Sequence, residues 1–114
     1  MVIETTEYQV CCAIKDFADL YQLPMIHVAN EGLRSKFTGP RLKRIGLTPG
    51  ASDYFFLESN DNYKALWLEV KTCKGRPTEA QKSFIALVNG LGYYGTIGYG
   101  VDDCIAIIKK FYGI

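Results

Sequence analysis

Hydrophobic positions along the chain change their period several times, and each change marks an element. Across residues 5–23, Val10, Ala13, Ile14, Phe17, Leu20 and Tyr21 recur at three-and-four spacing, which predicts an amphipathic helix stopped by Pro24. MIHVA (25–29) is a short apolar, β-branched run and predicts a strand. Residues 30–50 break the pattern with Gly32, Gly39, Pro40, Gly46, Pro49 and Gly50, so a long loop is expected there, with one helical turn around 40–45. SDYFFLE (52–58) and KALWLEVKT (64–72) flank the turn-forming SNDNY and predict an antiparallel hairpin. A helix follows over 77–91, with Phe84, Leu87, Val88 and Leu91 on its inner face and Gly90 or Gly92 closing it. YYGTIGYG (93–100) reads as a strand weakened by glycines. In VDDCIAIIKKFYG (101–113), early aspartates and late lysines suit a helix dipole, while the alternation of Ile105 and Ile107 also permits a strand. The expected fold class is therefore α/β, a central mixed sheet flanked by helices in the order α-β-β-β-α-β with a final helix.

One strand carries a further pattern. In LWLEVKTCKG, residues two apart share a face, so Leu66, Leu68 and Val70 form an apolar side while Trp67, Glu69 and Lys71 share the other. Hairpin pairing should set Asp53 across from the Glu69 to Lys71 region. Two carboxylates and an amine would then converge at one end of the sheet. Buried charges are costly unless paired or metal-bound, so such a cluster among apolar residues suggests a site. Hard divalent ions need only one or two carboxylates plus substrate oxygens, which Asp53 and Glu69 could supply for phosphodiester hydrolysis, with Lys71 orienting water or neutralising charge. A Glu69–Lys71 ion pair exposed on an edge strand is the competing explanation of the spacing.

Composition narrows the class without changing this picture. With 114 residues, 48% hydrophobic and 22% charged, the chain is expected to form one domain over 1–114 rather than a disordered or membrane-spanning protein. MVIETTEYQV lacks a signal-peptide layout, so an intracellular, cytoplasmic location is expected. Cys11, Cys12, Cys73 and Cys104 form no CxxC pair and His27 is the only histidine, which disfavours zinc and predicts reduced, mostly buried thiols. The net charge of +1 gives no strong steer toward nucleic acid, but Arg34, Lys36, Arg41, Lys43 and Arg44 crowd one segment.

PGASDYFFL followed by LWLEVKTCKGRPTEAQ resembles the PD-(D/E)XK nuclease signature, and in detail the virus-type replication-repair nuclease (VRR-NUC) domain. Pro49, Gly50, Asp53, Glu69, Lys71 and Gln81 match its pattern, as do His27, Asn30 and Glu31 in IHVANEG. The resemblance implies a restriction-endonuclease-like core and an endonuclease acting in DNA repair. It implies Mg²⁺ or Mn²⁺ held by Asp53, Glu69 and the Val70 carbonyl, with Glu7, or Glu4 in another register, completing the site. It further implies Lys71 acting on water, Gln81 near the scissile phosphate, and branched DNA, of Holliday-junction or flap type, cut by a homodimer. The aspartate here follows Pro49-Gly50-Ala51-Ser52, which departs from a direct Pro-Asp pair.

Several residues keep two readings. Thr78-Glu79-Ala80-Gln81 is also a helix capping box, which would occupy Gln81 structurally. Asn30 and Glu31, second-rank candidates, could simply form a turn. Lys74 and Arg76, like the basic residues of the long loop, could contact phosphates or merely keep a loop solvated. Tyr93, Tyr94 and Tyr99 are candidates for base stacking or for cross-strand packing. A non-catalytic nucleic-acid-binding module on the same fold, and a protein-interaction domain, remain the competing function classes.

Overall fold

The structure, a computed structural model, describes residues 6–28 and 39–114. Its elements run α1 (Glu7–Leu20), β1 (Met25–His27), α2 (Gly39–Arg44), β2 (Tyr54–Phe56), β3 (Leu66–Lys71), α3 (Glu79–Gly90), β4 (Tyr94–Tyr99) and α4 (Gly100–Tyr112). The strands form one sheet in the order β1-β2-β3-β4, antiparallel across the first three and parallel between β3 and β4. The expected mixed α/β architecture is therefore present. The 101–113 segment resolves to helix, with Asp102 and Asp103 in its first turn, Lys109 and Lys110 in its last, and Gly113 in a left-handed conformation closing it.

Local chemistry sets the element ends. Thr6 caps α1 in a capping box, its hydroxyl accepting the Gln9 amide at 3.2 Å while Gln9 Oε1 accepts the Thr6 amide at 2.9 Å. The helix stops at Leu20, earlier than the hydrophobic period suggests, because Gln22 takes a left-handed conformation (φ 54°) ahead of Pro24. Between β2 and β3, Asn60 Oδ1 accepts the amides of Asn62 and Tyr63, and Asn60 Nδ2 donates to the Phe111 carbonyl. That one side chain shapes the turn and ties it to the end of α4.

The core lies between the sheet and the α1/α4 pair. Val10, Ile14 and Ala18 of α1 meet Tyr54, Phe56, Leu66, Leu68 and Val70 of the sheet and Cys104, Ile108 and Phe111 of α4. The other face belongs to α3: Phe84 packs edge-on against Trp67, which stacks on Phe55 with ring centroids 4.3 Å apart. The glycines of β4 do not mark weakness. A side chain at Gly95 would strike Val88 of α3, and one at Gly98 would strike the Cys104 sulfur of α4, so these positions let both helices close on the strand.

Three expectations need correction, and for the tyrosines packing prevails over base stacking at two of three positions. Leu87 and Leu91 lie outside the inner face of α3, which is made by Phe84 and Val88. Leu20 and Tyr21 are exposed, because the inward stripe of α1 is made by Val10, Ile14 and Ala18 and ends there. The thiols are not mostly buried: Cys104 is, Cys11 is half-buried, and Cys12 and Cys73 are exposed. Tyr93 and Tyr94 are half-buried, Tyr94 stacking on Tyr63, which leaves Tyr99 as the exposed ring of the three. Among the described residues, no helix is long and apolar enough to cross a membrane.

Burial separates leucines that look alike in the sequence. Leu68 is fully buried, so Leu68→Ala should lower the unfolding free energy by about 2–5 kcal/mol in urea titrations. Leu87→Ala should stay within about 0.5 kcal/mol of the parent. Equal costs at the two positions would contradict this assignment of the core.

Candidate active site

Register brings the acidic residues together. Tyr54 pairs with Leu68, so the preceding Asp53 falls opposite Glu69 just beyond the end of β2. There its carboxylate replaces a strand partner: Asp53 Oδ2 accepts the Val70 amide at 2.8 Å, and the Asp53 carbonyl accepts the Val28 amide at 2.7 Å. Val70 itself turns its side chain into the core and offers only backbone at the site.

Glu69 is buried to 3% exposure under α3, in the interior of the sheet. The alternative of an ion pair exposed on an edge strand is thereby excluded, since β3 has a strand on either side. Lys71 stands at the mouth, its Nζ 3.9 Å from Glu69 Oε1, with its side chain 18% exposed. Oε1 also accepts Gln81 Nε2 at 2.7 Å, while Oε2 is buried and accepts no hydrogen bond among the described residues. Burial pushes the Glu69 carboxyl up to about 8, and the Asp53 charge pushes the same way; Lys71 and the Asp53 backbone amide oppose both.

Gln81 resolves its two readings by filling both. Its Oε1 accepts the Thr78 amide at 2.8 Å, its own amide donates to the Thr78 hydroxyl at 3.1 Å, and its Nε2 reaches Glu69. The partners fix the amide's orientation, because the flipped rotamer would set its NH₂ against the Thr78 N–H, donor against donor. One end of the side chain caps α3 and the other braces the acid.

The remaining candidates lie at varying distance from this centre. Glu7, in the first turn of α1, adds a distant repulsion to Glu69. Among the described residues, no three His, Cys, Asp or Glu side chains gather closely enough to hold a metal, so Glu7 is not brought together with Asp53 and Glu69. Arg41, Lys43 and Arg44 are exposed on α2, ahead of the loop that delivers Asp53; Lys74 and Arg76 are exposed just after Lys71. Glu4, Asn30, Glu31, Arg34 and Lys36 lie outside the described residues. His27 stacks on Tyr54 with ring centroids 4.5 Å apart. Sequence reasoning missed the packing of Gly50 against the first turn of α3, a contact that only tertiary structure creates.

Chemically, the centre pairs an orphaned buried carboxylate oxygen with a second carboxylate, an ammonium and an amide donor. An unpaired acceptor beside another anion is unfavourable alone, and an oxygen-only donor set suits a hard divalent cation such as Mg²⁺ or Mn²⁺. Asp53 and Glu69 therefore fit such an ion, which would relieve the repulsion between them.

A solved structure described as a VRR_NUC domain protein shares this fold, with a TM-score of 0.82 over 97% of this chain and 91% of that one, at 21% identity. No family model and no curated protein matches the chain. The likeness establishes the restriction-endonuclease-like fold.

The raised Glu69 carboxyl predicts a pH signature. Unfolded, a glutamate ionises near 4.5; folded, Glu69 holds its proton to about 8, so between these values the folded state binds a proton that the unfolded state has released. Stability without divalent ions should therefore fall as pH rises through that window, by an amount of order a few kcal/mol. Glu69→Gln should remove this component in urea titrations across the same range. A difference between parent and variant that stays flat would show Glu69 ionised throughout.

Proposed function

We propose that the protein is a metal-dependent endodeoxyribonuclease that hydrolyses phosphodiester bonds. The observation that carries this reading is Glu69, a carboxyl group buried to 3% exposure whose Oε2 has no hydrogen-bond donor among the described residues, set beside Asp53 and Lys71. The structural likeness to a VRR_NUC domain protein supports the reaction class.

Asp53, Glu69 and the Val70 carbonyl are the proposed ligands of Mg²⁺ or Mn²⁺. Such an ion acidifies water and neutralises charge on phosphoryl oxygens. Lys71, an ammonium on the same face, orients the attacking water or offsets charge as it builds on the phosphate. Gln81 holds the Glu69 carboxylate at a fixed angle, and its amide is the proposed contact near the scissile phosphate. The Asp53 bond to the Val70 amide keeps the second carboxylate facing the first. Placement on strands and a helix turn limits the reorganisation required during reaction.

Arg41, Lys43 and Arg44 on α2 and Lys74 and Arg76 after β3, together with Arg34 and Lys36, are proposed phosphate contacts. Branched DNA and a homodimer presenting two sites complete the reading. With a chain of net charge +1, affinity must come from one groove or from doubling of sites rather than from overall charge.

Purified protein incubated with Mg²⁺ or Mn²⁺ should cleave four-way junction or flap DNA in preference to linear duplex. Asp53→Ala, Glu69→Gln and Lys71→Ala should each lower the rate about 100-fold or more. Undiminished cleavage by the Asp53 or Lys71 variant would remove these residues from the site, and DNA retention without cleavage would mark a binding module on this fold. Because ligation requires the ionised carboxylate, the rise in melting temperature on adding Mn²⁺ should be larger at about pH 9 than at about pH 6. Equal shifts at both pH values, with the urea titrations showing Glu69 protonated at about pH 6, would exclude Glu69 as a ligand.

A further inference from the structure

The loop ahead of Asp53 meets α3 closely at Gly50. Gly50 has φ +77°, and a Cβ built there would stand 2.3 Å from the carbonyl carbon and oxygen of Ala80 and 2.5 Å from the Gln81 amide nitrogen. Ordinary contact begins near 3.4 Å, so any side chain at this position must displace the loop or the helix by about 1 Å. The obstructing atoms are helix backbone and cannot rotate aside.

From this contact two short paths lead to the same place. Along the loop, Ser52 is fully buried and Asp53 grips the Val70 amide at 2.8 Å. Along the helix, Gln81 follows Ala80 directly and reaches Glu69 Oε1 at 2.7 Å. The paths rejoin at the adjacent residues Glu69 and Val70, closing a ring of contacts around the two carboxylates. Both paths are short: Ala51 and Ser52 alone separate Gly50 from Asp53, and Gln81 adjoins Ala80.

We propose that Gly50 is a positioning residue: its backbone, seated on the Ala80–Gln81 peptide, sets the separation between the Asp53 loop and α3 and so the place where Gln81 meets Glu69. This rests on the hydrolytic reading for its consequence in catalysis, though not for its geometry. The same loop supplies a control, because Gly46 has φ +94° and no atom of the described residues within 4 Å of the place a Cβ would take. Alanine at either glycine strains the backbone; only alanine at Gly50 strikes the helix.

The test reads the side-chain amide of Gln81 in ¹⁵N–¹H spectra of the metal-free protein, alongside cleavage rates with Mn²⁺. Gly50→Ala should move that resonance toward the free-amide position and lower the cleavage rate about 100-fold, whereas Gly46→Ala should leave the resonance in place and change the rate less than about twofold. Thr78→Val, which removes the capping hydroxyl but keeps the Gly50 contact, should preserve the Gln81 resonance and covers the case in which Gly50→Ala does not fold. An unchanged Gln81 resonance in folded Gly50→Ala, or its loss in Thr78→Val, would overturn the proposal. If the spectra follow expectation while the parent cleaves no DNA, the positioning role stands and the hydrolytic reading fails.

Discussion

The buried carboxylate of Glu69 is the constraint around which the rest of the structure is arranged. A glutamate at 3% exposure is tolerable only if its surroundings supply hydrogen bonds, opposite charge or a bound cation. Gln81 and Lys71 both address one of its oxygens and leave the other bare. That second oxygen is itself buried, so solvent does not make up the difference. Folding free energy is thus given up at one point and supplied by the packed layer between the sheet and the α1/α4 pair.

That layer also fixes geometry. Leu66, Leu68 and Val70 are each fully buried, so β3 cannot slip by one residue without taking all three out of the α1/α4 core and turning Glu69 and Lys71 into it. Register in turn dictates that Asp53 arrives opposite Glu69. Parallel pairing with β4 on the other side requires the crossover through α3, and it is this crossover that brings Gln81 over the acid. The same hydrophobic alternation that builds the strand therefore also aims its charges.

Much of this was legible in the sequence because the signals were periodic and local. The two-residue alternation from Leu66 to Lys71 separated core from site, and SNDNY marked the hairpin turn that pairs Asp53 with the Glu69 region. What could not be read was set by tertiary contact. Leu87 and Leu91 share the helical spacing of Phe84 and Val88, yet only the latter pair meets the sheet, since β4 presents Gly95 to Val88. The 101–113 segment carries both helix and strand signals, and only its packing against β4 and α1 decides for helix. Gln81 presented a choice between cap and site because sequence spacing cannot show that one amide reaches both.

That double attachment narrows what position 81 can tolerate. The side chain must accept from the Thr78 amide and donate to a carboxylate on a neighbouring strand, at 2.8 and 2.7 Å, at the same moment. Ionised glutamate has no donor, lysine and arginine have no acceptor, and asparagine is one methylene shorter. Glutamine is the side chain that combines both functions at this reach, so a helix cap that could elsewhere be filled by several residue types is here restricted by the acid it faces.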